Sequence, residues 1–104
     1  MQNSTKTIWK YPLQLVDKQV IDMPYGAKLL TVQVQHEIPC VWVAVDQPEP
    51  IFKAPVTFWI VGTGRQIPME AVTKSGYLGS FQLDGGHLVF HVFFLLGYQE
   101  DEIH

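Results

Sequence analysis

Four histidines, one cysteine and a single arginine are the residues of this chain best suited to acid–base, nucleophilic or anion-binding chemistry. His87 and His91 stand four apart in a stretch that reads as a strand. The even spacing puts them on one face, but at about 3.3 Å per residue they are ~13 Å apart. One metal ion cannot take both. His91, between Phe90 and Val92, reads first as a hydrogen-bonded residue within a sheet, with ligand-facing and catalytic roles as the alternatives. His36 in a turn and His104 at the terminus read as surface residues. The lone Cys40 excludes an intramolecular disulfide framework and a Cys-rich zinc site. It opens an apolar strand, where a thiol behaves as a small hydrophobe. No Gly-x-Ser-x-Gly or Cys–His signature pairs a nucleophile with a base. Asp17, Asp22, Glu37, Asp46 and Asp84 fall at turns or strand ends, where solvated acids are ordinary. The expectation is a protein that is not an enzyme and uses no metal or cofactor.

Gly62-Thr63-Gly64-Arg65 is the segment that best suits a ligand. Glycines let backbone N–H groups approach an anion, Thr63 offers a hydroxyl, and Arg65 offers a planar fork for phosphate or carboxylate. A tight loop leaving a strand is the plainer reading. It is not a P-loop, because the Gly-Lys-Ser/Thr ending and the following helix are absent. Trp9, Trp42 and Trp59, with Tyr11, Tyr25 and Tyr77, can stack on a base or pack a core. In Phe58-Trp59-Ile60, Trp59 points opposite to its neighbours. With Phe58 in the core, Trp59 is expected at a subunit interface or in a groove. The candidate ligand-binding set is therefore Gly62, Thr63, Gly64, Arg65, Trp59, Tyr77, Gln82 and His91. Trp59 or Tyr77 would stack on a base, and His91 or Gln82 would read an edge.

The elements that must hold these residues are strands. Thr31-Val32-Gln33-Val34-Gln35 alternates as a half-buried strand does, with Leu30, Val32 and Val34 expected inward and Thr31, Gln33 and Gln35 outward. Cys40 to Val45 is apolar on both faces, so both should be covered. Glu37-Ile38-Pro39 joins these two strands as a hairpin. Asp46-Gln47-Pro48-Glu49-Pro50 is a loop. Val56 to Val61 is β-branched and aromatic and reads as a strand. Tyr77 to Leu83 and Leu88 to Phe94 are two more strands, joined at Asp84-Gly85-Gly86. Thr7 to Pro12 and Gln19 to Met23 are shorter strands around Val16-Asp17-Lys18. Pro24-Tyr25-Gly26 is a turn. Only Met69 to Lys74 has room for a helical turn. The expected fold is all-β: a small antiparallel β-sandwich or barrel of about seven strands with at most one short helical turn.

Composition narrows the class. The 104 residues suit a single domain, with a core from about residue 6 to residue 96. Hydrophobic residues make up 47% and charged residues 16%, which excludes a disordered chain. The net charge of −3 offers no basic field for nucleic acid. The run Leu88 to Leu96, broken by His91, is far short of the roughly 20 residues of a membrane helix. The N-terminus has no apolar signal core, and Gln99-Glu100-Asp101-Glu102 is expected as a solvated acidic end. So few charges on so small a chain should leave apolar surface exposed, which favours a homo-oligomer.

Several segments in order resemble a known group. They are Thr7-Ile8-Trp9-Lys10-Tyr11, Ile21-Asp22-Met23-Pro24 with Gly26-Ala27-Lys28, Val32-Gln33-Val34-Gln35 and Pro39-Cys40-Val41-Trp42. They continue with Gly62-Thr63-Gly64, Tyr77-Leu78-Gly79-Ser80-Phe81-Gln82 and Leu88-Val89-Phe90-His91-Val92-Phe93. This order is similar to a family of short β-rich phage and prophage proteins of unknown function. The resemblance runs from about Lys6 to Phe94. It brings no catalytic residues, and where the family tends to have His after Gly-Thr-Gly this chain has Arg65. An anion contact survives that change. The resemblance implies a non-enzymatic accessory protein in the host cytoplasm. It would be a host-defence antagonist that binds and sequesters a small nucleotide-like anionic signal. The alternative is a protein–protein interaction module that inhibits a host protein or decorates a virion.

Overall fold

The computed structural model describes residues 5–97. The acidic end Gln99–Glu102 and His104 lie outside the described residues. Seven strands are formed: β1 (Thr5–Pro12), β2 (Lys18–Pro24), β3 (Lys28–Gln35), β4 (Ile38–Gln47), β5 (Lys53–Gly62), β6 (Gly76–Leu83) and β7 (Leu88–Leu96). One helical turn, α1 (Met69–Lys74), lies between β5 and β6, and a 3-10 turn at Asp84–Gly86 links β6 to β7. The strands make two antiparallel sheets, β1-β4-β3 and β2-β5-β7-β6.

Period-two alternation builds the core between the sheets. Val41, Val43 and Val45 of β4 face Val56, Phe58 and Ile60 of β5, with Met23, Val32, Phe81 and Val92 completing the buried cluster. Trp9, Tyr11, Phe90 and Phe94 pack around it. The sheets approach along one edge, where a side chain on Gly79 of β6 would stand 3.4 Å from Val32 of β3.

Parity fails at two places, at Leu29/Thr31 in β3 and at Tyr77/Gly79 in β6, where Leu78 packs on the core and Tyr77 turns outward. Leu30 was expected inward with Val32 and Val34, but it is 43% exposed, and Leu29 packs on the core instead. The register against β4 shifts between Leu29 and Thr31. A bulge adds one residue to one strand and so exchanges its two faces on either side. Both faces of β4 are covered as its apolar run requires: Cys40 and Ala44 are buried on the outer side, and Trp42 is half-buried beneath the Lys10 ammonium.

Part of the outer face of the second sheet is covered by the chain itself. Ala71 of α1 is buried, and Glu70 of α1 reaches Lys18 of β2 at 3.4 Å. The Lys18 ammonium in turn lies 5.6 Å from the centre of the Trp59 ring. This corrects the expectation for Trp59. It does face away from Phe58, but with 2% of its surface exposed within one chain it lies neither in an open groove nor at an interface. The segment between β5 and β6, which carries α1, folds back over Trp59 and removes it from solvent. Apolar surface does remain exposed elsewhere, most of all at Ile51 and Phe52 in the β4–β5 loop.

Candidate functional site

β5 ends at Gly62, and the chain turns at once. The Arg65 N–H donates to the Gly62 carbonyl at 3.0 Å, which closes a four-residue turn over Gly62-Thr63-Gly64-Arg65. Gly64, at the third position, has φ +88°, while Thr63 keeps the ordinary negative sign. That is the type II pattern, which calls for glycine at this position. The Thr63 N–H donates to the Val89 carbonyl at 3.0 Å and so ties the loop to β7. A side chain on Gly62 would come within 3.5 Å of Arg65 Cγ and 3.8 Å of the Phe90 ring. Gly62 is thus flanked by the arginine stem and the Phe90 ring at ordinary contact distance.

Strand order brings the partners in. β7 sits between β5 and β6, so His91 lies between the end of β5 and Tyr77 of β6. Phe90, Val92 and Phe94 take the core face, which leaves His91 and Phe93 on the outer one. His91 Nε2 is 2.8 Å from Thr63 Oγ1, and His91 Nδ1 is 2.8 Å from the Tyr77 hydroxyl. Tyr77 also packs edge-on against Phe93, with centroids 5.3 Å apart. The result is one hydrogen-bonded chain, Thr63–His91–Tyr77, anchored on three separate segments.

These residues line a cavity of about 390 Å³ formed by Val61, Gly62, Thr63, Gly64, Arg65, Ile67, Tyr77, His91 and Phe93. The volume lies within the range of small-molecule sites. Among the described residues no carboxylate belongs to this lining. Among the described residues the Arg65 guanidinium has no hydrogen bond or ion pair. A larger cavity, about 750 Å³, lies against the same loop. It shares Val61, Gly62, Gly64 and Arg65 and adds Leu15, Val16, Asp17 and Phe90. Its wall also carries Asp17 and Gln66, whereas the smaller cavity, more apolar in its wall, is the one that holds Thr63, Tyr77 and His91.

Of the candidate residues, Gly62, Thr63, Gly64, Arg65, Tyr77 and His91 come together here. Trp59 is buried on the same sheet face, opposite Phe93, but does not line the cavity, and its indole N–H has no hydrogen-bond partner among the described residues. Gln82 is exposed on β6 opposite Val89, near the hairpin end, and does not line the cavity. Phe93 and Ile67 were not among the candidates. Phe93 was accessible to the two-residue period, because it shares a strand face with His91. Ile67 carries no local signal. His87 is engaged at its own turn, with Nδ1 2.9 Å from the Asp84 carbonyl oxygen. Among the described residues no three His, Cys, Asp or Glu side chains gather as metal ligands do, and no helix is long and apolar enough to cross a membrane.

Fold and site together define a small two-sheet β-sandwich domain with a loop-built cavity on the outer side of its four-stranded sheet. The chain belongs to the family described as Domain of unknown function (DUF7352), whose model matches residues 4–101. No curated protein and no solved structure gives a significant match.

Proposed function

We propose that this protein binds a small anionic, nucleotide-like ligand in the cavity between the Gly62–Arg65 loop and the Tyr77–His91 pair, and releases it unchanged. One observation carries the reading: an arginine free of partners among the described residues shares a carboxylate-free cavity with Thr63, His91 and Tyr77. Arg65 supplies charge and a two-pronged donor for phosphate. Tyr77, 54% exposed, supplies a ring face for a base in place of the buried Trp59.

Binding is favoured over catalysis by the third member of the hydrogen-bonded chain. In acid–base triads a carboxylate stabilises the imidazolium that forms. Here that position holds a phenol. In the phage setting that the sequence resemblance implies, such a protein would sequester a signal made by its host.

The test is a thermal-shift screen with nucleotides, followed by calorimetry and product analysis of each stabilising compound. A ligand present at 100 times its Kd stabilises by about 2.7 kcal/mol. Losing one charge-assisted contact costs about 1.5–3 kcal/mol. Arg65→Ala is therefore expected to weaken binding roughly 10- to 150-fold with little change in Tm, since Arg65 is exposed. Unchanged affinity in Arg65→Ala would remove the reading, and a chemically altered ligand would make the protein an enzyme.

A further inference from the structure

The hydrogen-bonded chain at His91 has a consequence for which ligand the cavity takes. A neutral imidazole has one N–H and one bare nitrogen. With Thr63 Oγ1 and the Tyr77 hydroxyl each 2.8 Å from a ring nitrogen, one hydroxyl must donate to His91 and only the other keeps its proton for a ligand. When the ring is protonated, both nitrogens donate, and both hydroxyls are released as donors. The same proton adds a second positive charge beside Arg65.

Among the described residues, the surroundings hold no counter-charge for that imidazolium. The ionisable side chains lining the cavity are Arg65, Tyr77 and His91. On the neighbouring elements, Glu70 of α1 pairs with Lys18, and Asp84 lies beside His87 at 3.8 Å at the hairpin. Lys74 of α1 is a further cation, and Asp17 belongs to the larger cavity. An acid–base site would provide its own carboxylate for the protonated ring. This cavity leaves that place to the ligand.

We propose that the site is specific for a tetrahedral dianion, the chemistry of a terminal phosphate, and that it takes up a proton on His91 as the dianion binds. The inference rests on the anion-binding reading above and names its ligand class and its coupling to pH. Arg65 and the imidazolium match two negative charges, and the Thr63 and Tyr77 hydroxyls donate to the oxygens. A phosphodiester, with one charge, is matched less well.

Sulfate is the probe, because it stays a dianion across the working range and any proton taken up belongs to the protein. Calorimetry in two buffers of different ionisation enthalpy is expected to show proton uptake on sulfate binding at pH 7.5. Affinity is expected to fall as pH rises, by at most about tenfold per pH unit for one coupled proton. His91→Gln should bind sulfate with the same affinity from pH 5.5 to 8.5, while His87→Gln keeps the wild-type dependence. Because His91 is half-buried, the wild type gives a second measurement: sulfate should move the NMR titration of the His91 ring to higher pH. Sulfate binding that is independent of pH, a dependence that survives His91→Gln, or an unmoved His91 titration overturns the inference and leaves anion binding standing. Failure of sulfate, phosphate monoesters and nucleotides alike to bind at any pH overturns both.

Discussion

Glu37→Gly should make this protein more stable. Gln35 pairs with Ile38, so the β3–β4 hairpin turns on only His36 and Glu37. Both have positive φ, +53° and +69°. A two-residue hairpin with positive φ at both central positions is the type I′ turn, which favours Asn-Gly because its backbone twist matches the strands. This chain makes the turn with two residues that carry a Cβ. The left-handed conformation costs an L-residue roughly 1–2 kcal/mol. Glycine at position 37 removes that cost but adds freedom to the unfolded chain, worth about 0.5–1 kcal/mol. The net expectation is a gain of about 0.5–1 kcal/mol. Glu37 is exposed, and its side chain has no hydrogen bond or ion pair among the described residues, so little is lost with it. At roughly 4–8 °C per kcal/mol for a domain near this size, Tm should rise by about 2–8 °C in a reversible circular-dichroism melt. Glu37→Ala is the control: it removes the same charge and keeps the Cβ. A Glu37→Gly protein that melts no higher than Glu37→Ala would refute the strain argument.

Two further outcomes follow from burial. Desolvation, and secondarily the Glu49 charge, push the Tyr11 phenol above its ordinary value of 10.0. The unfolded chain then ionises first, so stability is retained below that value and falls as the pH rises past it. In Tyr11→Phe that alkaline decline, followed by melts at stepped pH, should be shallower, and an identical decline would count against the assignment. Cys40 is 2% exposed, so a thiol reagent should label it only as the protein unfolds. Rapid labelling of the native protein would place the sulfur at the surface.

Much of the architecture is legible in short stretches of residues because its causes are local. Thr31 to Gln35 alternates, Val56 to Val61 is β-branched and aromatic, and Asp84-Gly85-Gly86 permits positive φ. Each signal acts within a few residues, and each matches an element of the all-β fold. The Gly62–Arg65 turn is of the same kind: glycine at the third position is what a type II turn needs wherever it occurs. Met69–Lys74 likewise stands out as the stretch with room for a helical turn.

Other features depend on which strands pair, and pairing is a long-range choice. The bulge at Leu29/Thr31 exists only against β4, so no period within β3 announces that Leu29 and Leu30 exchange faces. Trp59 faces away from the core as alternation requires, yet it is buried because the segment carrying α1 returns over it. The site is decided the same way. Thr63, Tyr77 and His91 are 14 and 28 residues apart along the pairs they form, and nothing local relates them. By itself the sequence determined the strands, the turns and the residues able to bind an anion. Tertiary structure decided that β7 enters between β5 and β6, an order that pairs β5 along both edges, with β2 and β7, and sets His91 between a threonine and a tyrosine from different segments.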